Sequence, residues 1–544
     1  MCAVRLGSLG FCPALGGVLL AFCNILAAAA PWAPQATDSA EQNAYSQAEA
    51  LVRNHEWDAG LQLLDPLREQ DPNNLKVLNL TALALTGKGQ IGEADRYFER
   101  ALRLDPNFLP ALRNLGINEF NAGRFESADR HFSAALKAAP DDPVINLFAG
   151  RLAYRTGRFT QAAAALPKAE PFLSRDANLS AMLAISYLAI GETQNALSLL
   201  PSIPAAQLSA DSQLSLGAKL AERRLNEEAV PYLIAARASD AESYNASFDL
   251  AICYINLKRY SDAASVLEET SSRGRDTSEV ENLLAEAYEG NHEAQNAVNA
   301  LRRAIAIDPD NIDNYLDFAS LCIDHQDYPA ALKVLEVGLQ VHPDSDRLFF
   351  ERAILYAVQD NFKHAEEDFK KASALSPDKD SSYKGLSVLY LESGNAAKAE
   401  ATLEQRLKVK PNDPELLYLL GEALLRSGAQ RGDDSYRKAE SALERSVKLD
   451  PNACLPHVAL GKMYLEQDRV ADAILELEKA RAIDPKEKST YWQLANAYRK
   501  MGDSEKQKLA LMTLKKLNDQ DRLDSRSGNS QVEESGKLPQ TTEN

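Results

Sequence analysis

Cysteine, methionine, tryptophan and histidine are all scarce in this chain, at 6, 5, 3 and 7 of 544 residues. Cys2, Cys12 and Cys23 fall near the amino terminus, and Cys253, Cys322 and Cys454 lie far apart in sequence. No disulfide framework and no zinc-ligand spacing results, so these isolated thiols read as buried apolar groups. His55, His131, His292, His325, His342, His364 and His457 also lack ligand spacing, and read as surface or turn residues. Basic excess is missing too. Sixty Lys and Arg face 78 Asp and Glu, a formal net charge of -18, whereas a nucleic-acid surface needs a basic stripe. The acidic balance reads as a solvated exterior. Past residue 30 no stretch is apolar enough to cross a bilayer. Sustained apolar–polar alternation, the signature of a strand, occurs nowhere. Neither a Ser/His/Asp arrangement, a paired-carboxylate site nor a phosphate-cradling loop stands out, so the reading is of no enzyme, no metal and no cofactor.

What the chain does have is a ladder of small residues. Ala94, Ala128, Ala162 and Ala196 are spaced by 34; after one step of 33, Ala229, Ala263, Ala297, Ala331, Ala365 and Ala399 continue at 34. A step of 40 leads to Ala439, and Ala473 follows at 34. A second ladder runs twelve residues upstream, as in Ala82, Gly116, Gly150, Ala184 and Gly217. Two small positions per unit predict two helices that approach closely. Apolar steps of three and four support this: Phe349, Ala353 and Tyr356, then Ala365, Phe369 and Ala372. Prolines punctuate the same period at Pro72, Pro106 and Pro140, then Pro309, Pro343, Pro377 and Pro411, then Pro451 and Pro485. The residue after each, such as Asn73, Asp141, Asp310 or Asn412, is placed to accept from the free amides of the next helix.

On these residues the chain resembles the tetratricopeptide repeat family, with Gly116, Phe125, Ala128, Phe132, Ala135 and Pro140 matching its pattern in one unit and Tyr315, Phe318, Ala319, Tyr328, Ala331 and Pro343 in another. The resemblance implies an all-α, right-handed superhelical solenoid of about fourteen stacked helix-turn-helix repeats over residues 41–519. Departures exist. The units between Pro140 and Pro309 lack the terminal proline, Ile203 lies in a loosened connection, Arg406 replaces a late small residue, and Gln507 marks a capping unit.

Residues 1–30 read as a secretory signal. Arg5 precedes an apolar run from Leu9 to Ala30, and Ala27, Ala28, Ala29 and Ala30 stand before Pro31. An uncleaved anchor and lipidation at Cys23 are the alternatives. Residues 31–40 read as a linker, and residues 520–544, polar and without aromatics, as a disordered tail. Expected localisation is exported: periplasmic or envelope-associated.

Three short motifs carry little. Gly87, Gly89 and Gly92 form a glycine-rich triplet in a helix–helix turn and not after a strand. Arg431, Gly432 and Asp433 occupy a six-residue insertion between the helices of one unit. Asn79, Asn178 and Asn245 head N-x-S/T triplets on predicted helices.

The resemblance also implies where partners dock, because in the family the first helix of each unit lines the inner face. Its groove positions carry Phe248, Ile252 and Ile255, then Leu316 and Ile323, then Phe350, Ile354 and Val358, and later Tyr418 and Trp492. Glu279, Asn282, Glu286 and Glu289 interrupt the apolar stretch. Asn79 and Arg113 do not assemble the family's clamp for a carboxyl terminus, since Leu83 and Ile117 fill positions that need polar groups. The expected function is a non-catalytic scaffold for other proteins or peptides, with no nucleic acid and membrane contact only through a possible amino-terminal anchor. The resemblance suggests a bacterial envelope assembly, secretion or export machine. A small-molecule or glycan carrier, motivated by Phe248, Phe350, Tyr418 and Trp492, is the alternative. A subunit supporting catalysis in another chain is the third reading.

Overall fold

A computed structural model describes residues 39–240 and 243–534. The expected signal at 1–30 therefore lies outside the described residues, and the first helix already begins at Ser39. Among the described residues all regular structure is helical. Fourteen helical hairpins follow one another, from Ser39–Arg53 with Trp57–Gln70 to Lys488–Met501 with Ser504–Glu534. The chain divides into two compact units, one ending at Cys253 and the other beginning at Tyr254. Within each, helices pack chiefly on their hairpin partner and on the next hairpin, as expected of an all-α repeat solenoid.

The ladder of alanines is the seam of each hairpin. Every member from Ala94 to Ala473 is 0% exposed. The upstream ladder sets the helix separation. A Cβ added to Gly116 would lie 2.7 Å from the Phe132 ring, and one added to Gly421 would lie 2.6 Å from Leu443 Cγ. A large side chain from the second helix thus fills the space left by a missing one on the first.

The turns are equally regular. In one hairpin the amide of Asn361 donates to the Tyr356 carbonyl at 2.8 Å, with Asp360 between them in the left-handed region at φ 57°. That is a Schellman-type closure. Gly89, Gly123, Gly157 and Gly394 take the same left-handed place in their turns. Gly89, from the glycine triplet, is thus turn chemistry.

The caps sit one residue later than the sequence suggested. Asn74, Asp142, Asn311, Ser345 and Asp413 accept from the first helical amides, whereas Asn73, Asp141, Asp310, Asp344 and Asn412 do not cap. The residue after proline belongs to the turn. The aspartate before the proline accepts from it instead: Asn107 N–H donates to Asp105 Oδ1 at 2.9 Å and Asn452 N–H to Asp450 Oδ1 at 3.0 Å.

Two of the units without terminal proline end irregularly, whereas Ala210–Glu222 with Asn226–Ser239 and Tyr244–Asn256 with Tyr260–Ser272 are regular hairpins. The helices Phe159–Ala165 and Thr193–Leu199 stop after seven residues and pass into 3₁₀ turns at Leu166–Ala169 and Leu200–Ser202. Pro167 and Pro201 withhold the amides that would continue them. The inserted Arg431, Gly432 and Asp433 lie between the helices Pro414–Arg426 and Asp434–Leu449. There Asp433 accepts from the Gln430 amide at 2.9 Å.

Three sequence expectations change. The last helix runs to Glu534, fifteen residues into the segment read as a disordered tail from 520; residues 535–544 lie outside the described ones. Low apolar content does not prevent this helix from continuing, because a helix satisfies its own backbone and Lys488 pairs with Asp521 on it. Histidines are not all at the surface or in turns. His457 is 2% exposed and lies between Glu476 Oε2 at 2.5 Å and the Pro451 carbonyl at 3.1 Å; its two ring nitrogens find partners, which removes the cost of burial. Arg406, where a small residue was expected, is itself buried, at 4% exposure. Cys253 and Cys322 are buried and Cys454 half-buried, none of them bridged. Burial pushes the first two thiols up to about 12.

Candidate functional site

Ser278–Gly290, Ile312–Asp324 and Asp346–Val358 are the first helices of three consecutive hairpins in the second unit, and each touches the next. Their two faces differ. On the last of them Leu348, Ala353 and Leu355 are buried, while Phe350, Ile354 and Val358 recur every four residues along a stripe that opens outward. Ile354 is 37% and Val358 59% exposed. Phe350 is half-buried, its ring edge-on to Phe369 at 5.7 Å. Leu316 and Ile323 are half-buried on the preceding first helix. These five expected groove residues therefore stand on neighbouring helices.

The others stand on other helices. Phe248, stacked on Tyr244 at 5.4 Å, and Ile252 are half-buried in the first unit. Ile255 is 8% exposed and has little surface to offer a ligand; at its position the helix has already turned toward the protein. Tyr418 is half-buried, and burial pushes its hydroxyl up to about 12. Trp492 is 54% exposed. Phe350, Tyr418 and Trp492 lie on hairpins separated from one another by an intervening hairpin, so they form no aromatic cluster.

Acidic groups accompany the apolar stripe. Burial pushes the carboxyls of Glu286, Asp317 and Glu351 up, with Asp317 adding to the effect on Glu286. Glu286 and Asp317 are nonetheless accessible to water. Glu289 meets His325 Nε2 at 3.0 Å, and Asp313 meets Arg347 at 2.6 Å.

In the first unit, sequence reasoning missed a cationic surface. The Arg151 guanidinium lies over the rings of Phe120 at 5.4 Å and Phe148 at 5.6 Å. Arg113 is 3.9 Å from Asp142, and its Nε is buried without a hydrogen-bond partner. Burial lowers both guanidinium pKa values. Arg113 and Arg151 occupy groove positions of the repeat, and that register was the available signal. Asp317 and Glu351 were missed because they lie one position beyond the groove positions carried over from the family. Among the described residues no group of three or more His, Cys, Asp or Glu could hold a metal ion, and no helix is long and apolar enough to cross a membrane.

Models of the tetratricopeptide repeat match residues 45–107, 113–177, 220–287 and 489–521. A model described as the cilia and flagella-associated protein 70 C-terminal domain matches residues 255–497. Tetratricopeptide repeat protein 16 of Mus musculus is 30% identical over 151 residues, taking in 25% of this chain. The match spans 20% of that relative's length. Among solved structures, yeast Tom70 aligns with 82% of this chain and 96% of its own at 16% identity and a TM-score of 0.36. The APC/C hetero-tetramer Cut9-Hcn1 aligns with 84% of this chain and 96% of its own at 13% identity and a TM-score of 0.33. MamA from Desulfovibrio magneticus RS-1 aligns with 33% and 97% at 21% identity and a TM-score of 0.28.

Proposed function

The chain is a tetratricopeptide-repeat protein, and from that premise we propose that it is a non-catalytic scaffold holding a segment of another protein against the first helices of its second unit. One observation carries this reading: the stripe Phe350, Ile354 and Val358, open to solvent beside Leu316 and Ile323 on the neighbouring first helix. Apolar side chains at four-residue spacing, half-buried to exposed on a helix whose other face is buried, are anchors for an apolar partner surface. A photo-crosslinking residue placed at Ile354 should capture a protein partner. The same residue at Lys371, on an exposed position of a second helix, should not. Equal capture from both places, or capture at neither, would overturn the reading.

The amino-terminal pattern of Arg5, the apolar run Leu9 to Ala30 and the alanines before Pro31 supports a finer reading. The chain is exported and serves an assembly, secretion or export machine of a bacterial envelope. The match of residues 255–497 to the cilia and flagella-associated protein 70 model favours a second reading, in which the partner belongs to a ciliary or flagellar assembly. Fractionation with amino-terminal sequencing separates the two. A mature chain beginning near Pro31 in an exported fraction favours the first, and an intact Met1 in the cytoplasm favours the second.

A further inference from the structure

Polar chemistry on the first-helix face of the second unit is one-sided. Glu279, Asn282, Glu286 and Glu289 follow one another along the helix Ser278–Gly290. Glu289 is satisfied by His325. Glu286, Asp317 and Glu351 make no hydrogen bond among the described residues, and Arg347, held by Asp313, reaches the last two only as a more distant charge. Asn282 adds a fourth unmet acceptor. Its Nδ2 donates to Asn314 Oδ1 at 2.9 Å, and Asn314 Nδ2 is itself committed to the carbonyls of Ala304 and Asp308. That chain of donors fixes the Asn282 amide orientation and leaves its Oδ1 buried with no donor. The wall thus offers more acceptors and negative charge than donors next to an apolar stripe, its guanidinium, Arg347, being engaged with Asp313.

We propose that this stretch takes a basic amphipathic segment of a partner protein, with Lys or Arg side chains on Glu286, Asp317 and Glu351 and apolar side chains on Phe350, Ile354 and Val358. The inference rests on the scaffold reading above and names the partner's chemistry. Charge complementarity selects the occupant: an acidic segment would bring like charge onto crowded carboxylates, and a neutral apolar one would bury them unpaired. A guanidinium or ammonium supplies the donors that the accessible carboxylates want.

Three synthetic helical peptides of about eighteen residues, five turns, test this against the full chain by fluorescence anisotropy. All carry the same leucine face, and their polar positions are Lys, Gln or Glu. The Lys peptide should bind at least about tenfold more tightly than the Gln peptide, as expected for three modest ion pairs, and should weaken with added salt. The triple variant Glu286→Gln, Asp317→Asn, Glu351→Gln should bring the Lys peptide to the Gln level with its thermal melt retained. Tighter binding of the Glu peptide overturns the proposal. Equal binding of Lys and Gln peptides, both abolished by Ile354→Asp, overturns the basic partner and leaves the scaffold reading standing. No binding of any peptide overturns both.

Discussion

Asp249 shows how a single side chain on these helices changes stability. It is half-buried on the helix Tyr244–Asn256, and burial pushes its carboxyl up to about 6. A carboxyl that binds its proton more tightly in the folded chain favours the fold at acid pH. This contribution is lost as pH rises from about 4, the unfolded value, to about 6. Asp249→Asn should therefore raise stability by about 1–3 kcal/mol at pH 7.5 and leave it unchanged at pH 4. Thermal melts at the two pH values check this, and an equal effect at both would show that charge is not the cause. Ala331 makes the opposite case. It is fully buried in its seam, so Ala331→Leu should force the hairpin apart at a loss of about 1–3 kcal/mol. Circular dichroism melts with no loss would mean the seam runs elsewhere. Ala331 was legible in the sequence because its neighbours in the ladder repeat it. Asp249 was not, because one polar residue on a helix carries no sign of how closely its surroundings crowd it.

At the scale of the hairpin, a departure from the pattern proves structural. Arg406 stands where a small residue was expected, and is 4% exposed. Its guanidinium donates to Asp380 Oδ1, to the Pro377 carbonyl at 2.6 Å and to the Asp378 carbonyl at 2.9 Å, with the Tyr383 ring 4.7 Å away. It fills the seam and ties the turn that leads into the helix Ser381–Glu392. Arg406→Ala should cost about 3–5 kcal/mol, because it leaves a cavity, frees the Pro377 and Asp378 carbonyls and leaves Asp380 only the distant Lys410 at 3.9 Å. Arg406→Lys should not restore the loss, since one ammonium cannot reproduce the three-pronged fork. Faster amide exchange across Ser381–Leu407 in both variants is the readout. The sequence showed that something at 406 broke the rule. It could not show the compensation, because the carbonyls of Pro377 and Asp378 come together only in the folded turn. Cap positions were displaced by one residue for a related reason: proline marks the start of a turn, and the turn's length decides which side chain meets the next helix.

At the scale of the whole chain, contacts run between neighbouring hairpins and divide into two units, so unfolding has no reason to be all-or-none. Trp57 belongs to the first described hairpin and Trp492 to the last. Single-tryptophan versions retaining one or the other should give different urea midpoints, neither matching far-UV circular dichroism. Coincident curves would show one cooperative block. Repeat architecture was legible across the described residues because fourteen imperfect copies reinforce one another. The binding face was legible in part. Phe350, Ile354 and Val358 follow from register, whereas the unmet acceptors beside them depend on which carboxylates find partners across helices.

The unbridged thiols supply a built-in clock. Cys253, Cys322 and Cys454 lie in three different hairpins; a thiol reagent reaches the buried first two only when their hairpins open, and the half-buried Cys454 sooner. Mass spectrometry of the labelled chain would then resolve three separate rates from one unmodified molecule. A ligand seated across Ile312–Val358 should slow the reaction at Cys322 and leave that at Cys454 much less changed.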